Sequence, residues 1–196
     1  MEKLQNIELT IKDEKEQGVF AISFVDRPAI EEDFILLSEM EVEMKVIDEG
    51  KREVIGLALV PNKKILRRHK DEETKKITEF TVSFSAETIA KTQELYMKKL
   101  YGNNVTVDHA KNVDGVALIE SWIVEDTKND KSNLYKLNAP IGSWVVKMKV
   151  YNEEVYQGIK DGKFNGFSIE GRYDGLEQLE MQEDIMNEIK ELLGKL

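Results

Sequence analysis

Apolar residues fall mainly into short runs bounded by polar or turn-forming residues, a pattern that predicts strands. The predicted strands span 18–25, 34–37, 54–60, 80–84, 105–109, 116–124, 144–151 and 166–173. The very polar stretch 62–79 predicts a hairpin loop between two of them. A chain with this many short strands favours an antiparallel sheet or barrel.

Three segments have features typical of helices instead. Ser85 is suited to cap a helix over 86–100, and Asn152 is suited to cap a shorter one that ends at residue 159. Near-helical spacing of leucine and isoleucine over 176–196 predicts an amphipathic C-terminal helix of about 20 residues. The predicted organisation is an N-terminal segment (1–52) whose strands join the barrel, a core (53–174) and the C-terminal helix (175–196), α+β in class.

Composition narrows the classes of function. Hydrophobic residues make up 41% of the 196 residues, enough for a buried core, and the net charge of −10 disfavours nucleic-acid binding. Cysteine is absent and the two histidines are far apart, so we expect neither a metal site nor another cofactor. No apolar run approaches the roughly 20 residues of a membrane span, and 1–5 lack a signal-peptide pattern, so we expect no membrane association.

The two histidines have different surroundings. His69 lies in the charged run 67–72, where it would be exposed and a poor general base. His109 ends the alternating strand 105–109, on one face with Val105 and Val107, which places the imidazole at the rim of a sheet. His109 is therefore the candidate base, although a structural hydrogen bond to a loop explains such a residue equally well.

Ser168 is the candidate nucleophile. It shares one face of its predicted strand with Glu170, while Phe167 and Ile169 occupy the other. Gly171 and the glycine before Phe167 would leave the backbone open to a substrate. The chemistry would be serine attack on a carbonyl, assisted by a histidine base and backbone N–H donors. A serine exposed on a sheet is the simpler interpretation of this segment alone.

Several segments, taken in order, resemble the XkdF family of phage serine proteases. They are 56–62, the strand ending at His109, 120–126, 141–150 and 166–171. The resemblance covers about 53–173 and extends to the prohead (capsid-maturation) proteases and the herpesvirus assemblin fold. It implies a mostly antiparallel β-barrel flanked by a few helices, with His109 as base and Ser168 as nucleophile.

The sequence leaves several candidates for the third member of the catalytic triad. Related prohead proteases often carry an acidic residue just before a strand similar to 22–29, where this chain has Ala21. We expect Glu120 to serve, because its strand is predicted to form a hairpin with that of His109. Asp126 and Glu170 are alternatives, as are a catalytic dyad and an inactive protein.

The resemblance implies a maturation protease that works inside the procapsid, in the cytoplasm of a bacterial host. Its expected partners are the scaffold and major capsid proteins, with the portal protein as a further candidate. The C-terminal helix would contact the scaffold, form a homodimer or pack on its own barrel. The alternative is a non-catalytic head-assembly protein that retains the protease fold, which Ala21 favours.

Overall fold

The computed structural model describes residues 4–26, 44–70, 75 and 77–175. The predicted strand at 34–37 and the predicted helix at 176–196 lie outside the described residues. The strands are β1 (Asn6–Leu9), β2 (Gly18–Val25), β3 (Lys45–Asp48), β4 (Glu53–Leu59), β5 (Ile65–Lys70), β6 (Ile77–Phe84), β7 (Val105–Val107), β8 (Lys111–Asn112), β9 (Val116–Ile123), β10 (Trp144–Val150) and β11 (Gly166–Arg172).

These strands form three sheets. Their orders are β1-β6-β5, β3-β4-β10-β9 and β11-β2-β7-β8. Most neighbouring pairs are antiparallel, but β1 pairs with β6 and β2 pairs with β7 in parallel. The N-terminal strands are therefore built into the fold, with β2 as an inner strand of the third sheet.

The α+β class is confirmed, whereas the prediction of a closed barrel is wrong. The described strands remain in three separate sheets that do not close on one another. Closing a barrel requires every edge strand to pair with another. Here β9 and β11 each have one strand partner among the described strands, so they are edges.

The predicted loop at 62–79 is also wrong, because it contains β5. This strand pairs with β6 along its length, from Ile65 opposite Val82 to Lys70 opposite Ile77. Ile65 and Arg67 are buried on one face. Charged residues on an edge strand hid the alternation that would have predicted it.

The two described helices begin where the sequence predicts. Ser85 accepts a hydrogen bond from the Thr88 N–H and caps α1 (Ala86–Lys98). Asn152 caps α2 (Glu153–Lys160) in the same way through the Val155 N–H. No described helix is both long enough and apolar enough to cross a membrane.

The main hydrophobic core brings all three sheets together. Trp144, Tyr96 and Phe24 are its largest fully buried residues. The Phe24 ring packs against Phe167 at a centroid distance of 5.4 Å, which joins β2 to β11. Through this contact the apolar face of β11 is held in the core.

Candidate active site

Three hydroxyl residues lie side by side across the third sheet. Ser168 on β11 is opposite Ser23 on β2, and Ser23 is opposite Thr106 on β7. Directly paired residues project to the same face, so the three side chains form a row. All three are buried, and the other residues of the candidate site lie around this row.

His109 reaches the site from a tight turn rather than from a strand. β7 ends at Val107, so the prediction that His109 belongs to the strand, facing the same way as Val105 and Val107, is wrong. Asp108 and His109 both have positive φ, 48° and 54°, a conformation that few non-glycine residues adopt. These two residues reverse the chain, and the His109 N–H donates a hydrogen bond of 3.1 Å to Ser23 Oγ.

The His109 ring contacts the carboxylate of Glu170. Nδ1 lies 3.2 Å from Glu170 Oε1, and the two side chains are 25% and 18% exposed. Glu170 shares the Ser168 face of β11, while Phe167 and Ile169 belong to the core, as the sequence predicts. A proton on Nδ1 makes the contact a hydrogen bond and leaves Nε2 as a proton acceptor.

Ser168 is buried on the same face of β11, two residues before Glu170. It is 3% exposed, and its Oγ makes no hydrogen bond to His109 or to any other group among the described residues. The sheet thus brings the candidate nucleophile onto the same face as the carboxylate that holds the candidate base. The hydroxyl itself has not engaged the imidazole.

Glu120 lies in a different sheet, on β9. Its carboxylate is bound by Lys131 and by Lys147, whose Nζ is 3.3 Å from Oε1. The hydrogen bond from Lys131 holds the pKa of Glu120 below its usual range. The predicted hairpin is wrong, because β9 pairs with β10 and β7 pairs with β2 and β8.

Asp126 serves a local structural purpose. Its carboxylate accepts hydrogen bonds from the side-chain amide of Asn129 and from the Lys128 N–H, which hold its pKa low. Of the three carboxylates considered from the sequence, only Glu170 has a described contact with His109.

Gly171 is required by strand packing, and not by the substrate access that the sequence suggested. A Cβ at this position would lie 2.8 Å from the Gly18 carbonyl oxygen and 3.2 Å from Val19 Cα. The glycine therefore permits a close approach of β2 at the bulge after Glu170, rather than leaving space for a substrate.

Residue 21, where the resemblance led us to expect an acidic residue, also lies on this face. Ala21 is directly opposite Glu170 in the β2–β11 pair. Paired residues on adjacent strands have Cβ atoms roughly 5 Å apart. Glu170 can therefore supply a carboxylate from the neighbouring strand to the region where residue 21 of this chain has none.

Comparison with known proteins identifies the family. The model of the family described as "Putative phage serine protease XkdF" matches residues 41–177. The chain belongs to this family. No curated protein and no solved structure matches the chain.

The XkdF match includes β7, β11 and the turn that carries His109, but it does not include β2. Ser23, which binds the backbone of His109, is thus outside the matched residues.

Sequence reasoning did not assign Ser23 or Thr106 to the site. The available signal was a polar residue at a central position of an otherwise apolar strand, Ser23 between Ile22 and Phe24 and Thr106 between Val105 and Val107.

Other places on this XkdF-family chain offer less chemistry. A surface groove of about 470 Å³ runs along β9, lined by Ile119–Trp122 with Asp130 and Lys131, and contains neither Ser168 nor His109. Within the described ranges, no group of three or more acidic or histidine side chains is arranged to hold a metal ion.

Proposed function

We propose that this XkdF-family protein is a serine endopeptidase of phage prohead maturation. Ser168 is the nucleophile, His109 the general base and Glu170 the carboxylate that orients the base. The observation that carries the proposal is the 3.2 Å contact between His109 Nδ1 and Glu170 Oε1, on the face that also bears Ser168.

The reaction follows acyl-enzyme chemistry. Ser168 Oγ attacks the carbonyl carbon of the scissile peptide bond, and His109 Nε2 accepts the hydroxyl proton. The imidazolium then gives this proton to the leaving amine as the C–N bond breaks. A water molecule, activated by the same nitrogen, releases the new carboxyl group and restores Ser168. Because Ser168 Oγ makes no hydrogen bond to His109 in the free protein, it must approach the ring when substrate binds.

Glu170 is better suited than Glu120 to orient the base. A carboxylate at Nδ1 fixes the ring tautomer and stabilises the imidazolium that forms during the reaction. Glu120 is engaged by two lysines on another sheet, so recruiting it would break both ion pairs. We therefore propose Glu170, in place of Glu120, as the third member of the triad.

The proposed substrates are the scaffold protein and the extensions of the major capsid protein, cut inside the procapsid in the bacterial cytoplasm. Membership of a phage serine protease family supports this role. The portal protein is a further proposed partner, and the sequence 176–196 a proposed contact for scaffold or for a second copy.

Co-expression with the scaffold and capsid proteins of the same phage tests the proposal. We expect processing with the wild type and none with Ser168→Ala or His109→Ala. Ser143→Ala is the matched control, because Ser143 Oγ is also buried without a hydrogen-bond partner among the described residues. Processing that survives Ser168→Ala would sink the mechanism.

The choice of carboxylate has its own test in the same assay. Glu170→Gln keeps the size of the side chain but removes its charge, and loss of such a carboxylate lowers kcat by about 10⁴-fold in a well-studied triad. We expect a loss on that order for Glu170→Gln and less than about 3-fold for Glu120→Gln, since surface ion pairs contribute little. A large loss confined to Glu120→Gln would instead identify Glu120 as the carboxylate that orients His109.

The second candidate function is a non-catalytic head-assembly protein that retains the fold. One observation favours it: Ser168 Oγ is buried and makes no hydrogen bond to His109. If this function is correct, Ser168→Ala and His109→Ala should support normal head assembly, with unprocessed scaffold and capsid proteins in every sample.

A further inference from the structure

Glu170 Oε1 is contacted by two groups from the β7 region. Thr106 Oγ1 donates a hydrogen bond to it, and His109 Nδ1 lies 3.2 Å from the same oxygen. Thr106 is 6% exposed and lies in the middle of β7, whereas His109 follows in the turn. The carboxylate of β11 is thus fixed to β7 at the place from which His109 is presented.

We propose that Thr106 is a positioning residue, whose hydroxyl holds Glu170 Oε1 where His109 Nδ1 can donate to it. The proposal rests on the proposed protease site and assigns Thr106 no contact with substrate. It adds one residue to the proposed triad of Ser168, His109 and Glu170. The positions of the Glu170 carboxylate and of the His109 ring both depend on this residue.

A glutamate by itself is poorly suited to orient an imidazole. Its terminal torsion has a broad energy minimum, so the carboxylate can rotate and offer either oxygen. A second donor from a rigid element removes that freedom. Thr106 is such a donor, because it is β-branched, has few χ1 options and pairs with β2 on one side and β8 on the other.

Burial makes the hydroxyl more important. A carboxylate that is 18% exposed has lost most of its water, and each missing donor then costs free energy. With Thr106 in place, Oε1 keeps a donor even when the His109 ring moves during turnover. Without it, the carboxylate would turn toward water and release the ring.

Imidazole NMR tests the geometry without using activity. The chain has two histidines, so ¹⁵N-histidine labelling gives spectra of only two rings, and His109→Gln assigns them. At a pH where both rings are neutral, we expect His109 to carry its proton on Nδ1 in the wild type. Thr106→Val keeps the shape but removes the hydroxyl, and it should shift the ring toward a mixture of the two tautomers. Thr106→Ser should retain the wild-type spectrum.

Thr92→Val is the matched control. Thr92 is a fully buried threonine of α1 whose Oγ1 lies 3.2 Å from the Tyr173 hydroxyl. It loses a comparable buried hydrogen bond, so a general effect of such a loss would appear here as well. We expect its His109 spectrum to match the wild type.

Kinetic measurements with a substrate that the wild type cleaves complete the test. We expect Thr106→Val to lower kcat by up to about 100-fold with KM unchanged, since misplacing a reacting group by about 1 Å has effects of that size. Thr106→Ser should recover most of the rate. A wild-type His109 spectrum in Thr106→Val would overturn the proposal. A changed spectrum in a protein that never cleaves substrate would instead support the role of Thr106 and contradict the protease function.

Discussion

The hydroxyls of Ser168 and Ser143 share an unusual condition at the scale of single residues. Each is buried, and each oxygen lacks a hydrogen-bond partner in the part of the chain that the structure describes. A buried polar group without a partner costs about 1–3 kcal/mol of stability. The hydroxyl groups of Ser168 and Ser143 therefore each lower the stability of the folded state.

Replacing either serine with alanine should stabilise the protein. We expect Ser168→Ala and Ser143→Ala each to raise the free energy of unfolding by about 1 kcal/mol, because the cost of the buried hydroxyl disappears. Urea denaturation measures the change. A clear loss of stability in Ser168→Ala alone would mean that its hydroxyl has a partner in solution. Stability gained together with activity lost is the pattern of a functional residue.

Glu120 belongs to a chain of ion pairs along the second sheet. Glu53 and Glu120 both contact Lys147, and Glu120 also binds Lys131. Hydrogen bonds, first from Lys131, lower the pKa of Glu120 in the folded state. The group therefore contributes stability above its pKa in the unfolded chain, about 4.5, and loses that contribution as pH falls through the lower folded value.

Glu120→Gln should therefore destabilise the protein at neutral pH and not in strong acid. We expect a loss of less than about 1 kcal/mol at pH 7, in keeping with a partly exposed pair, and equal stabilities near pH 2. Thermal unfolding at a series of pH values checks this. A difference that persists unchanged into acid would show that the glutamate acts through packing rather than charge.

The sequence predicts only part of the candidate site at this scale. Alternation in the strand gives the shared face of Ser168 and Glu170, and the family pattern adds His109. The contact between Glu170 and His109 depends on strand pairing through β2, between residues distant in sequence. A single chain does not reveal that register, so the sequence could not show that Glu170, and not Glu120, contacts His109.

At the scale of elements, the turn after β7 decides where His109 lies. Its backbone is held by Asp108 N–H donating to the Phe24 carbonyl at 3.0 Å and by His109 N–H donating to Ser23 Oγ at 3.1 Å. Two consecutive residues at positive φ need such support, because each is strained by about 1 kcal/mol or more. Strand propensity predicted that β7 continues through His109, because the preference of Asp and His for positive φ is too weak to mark the turn in the sequence.

Ser23→Ala should loosen this turn. The His109 N–H would lose its acceptor at a partly buried position, and we expect a loss of about 1–2 kcal/mol in the free energy of unfolding. Hydrogen exchange at the His109 amide should accelerate more than at amides of β10. Ala21→Ser, on the same face of β2, tests for a general effect of altering that strand. An unchanged exchange rate in Ser23→Ala would remove Ser23 from the support of the turn.

Element boundaries were predictable where local chemistry specifies them. Ser85 and Asn152 cap α1 and α2 as expected, because a capping side chain acts on the N–H groups of its own first turn. β5 was missed for the opposite reason. Its pattern includes Arg67, which is buried and whose Nη1 donates no hydrogen bond to any described residue, and burial lowers the pKa of this guanidinium to about 9. Tertiary packing overrode the local preference there.

At the scale of the whole molecule, the strand β2 joins the parts of the site. It lies between β11, which carries Ser168 and Glu170, and β7, which leads to His109. The family match begins at residue 41, so β2 lies outside it. The barrel expectation came from strand count and resemblance, and neither specifies that β2 pairs in parallel with β7.

A shortened chain that begins at residue 41 therefore tests the importance of β2. It would retain every residue of the family match, but it would lose β1 as well as β2. With β2 go Ile22 and Phe24, both fully buried, and the strand between β11 and β7. Removing a large core side chain alone costs about 3–5 kcal/mol, comparable to the whole stability of a marginal domain. We expect no cooperative thermal unfolding transition and no processing of substrate. Phe20→Ala in the full chain is the control, because Phe20 lies on β2 but is 41% exposed, and it should leave both properties intact. If the shortened chain unfolds cooperatively and cleaves substrate, Ser168 and His109 can be brought together without β2, and the support assigned to Ser23 would be wrong as well.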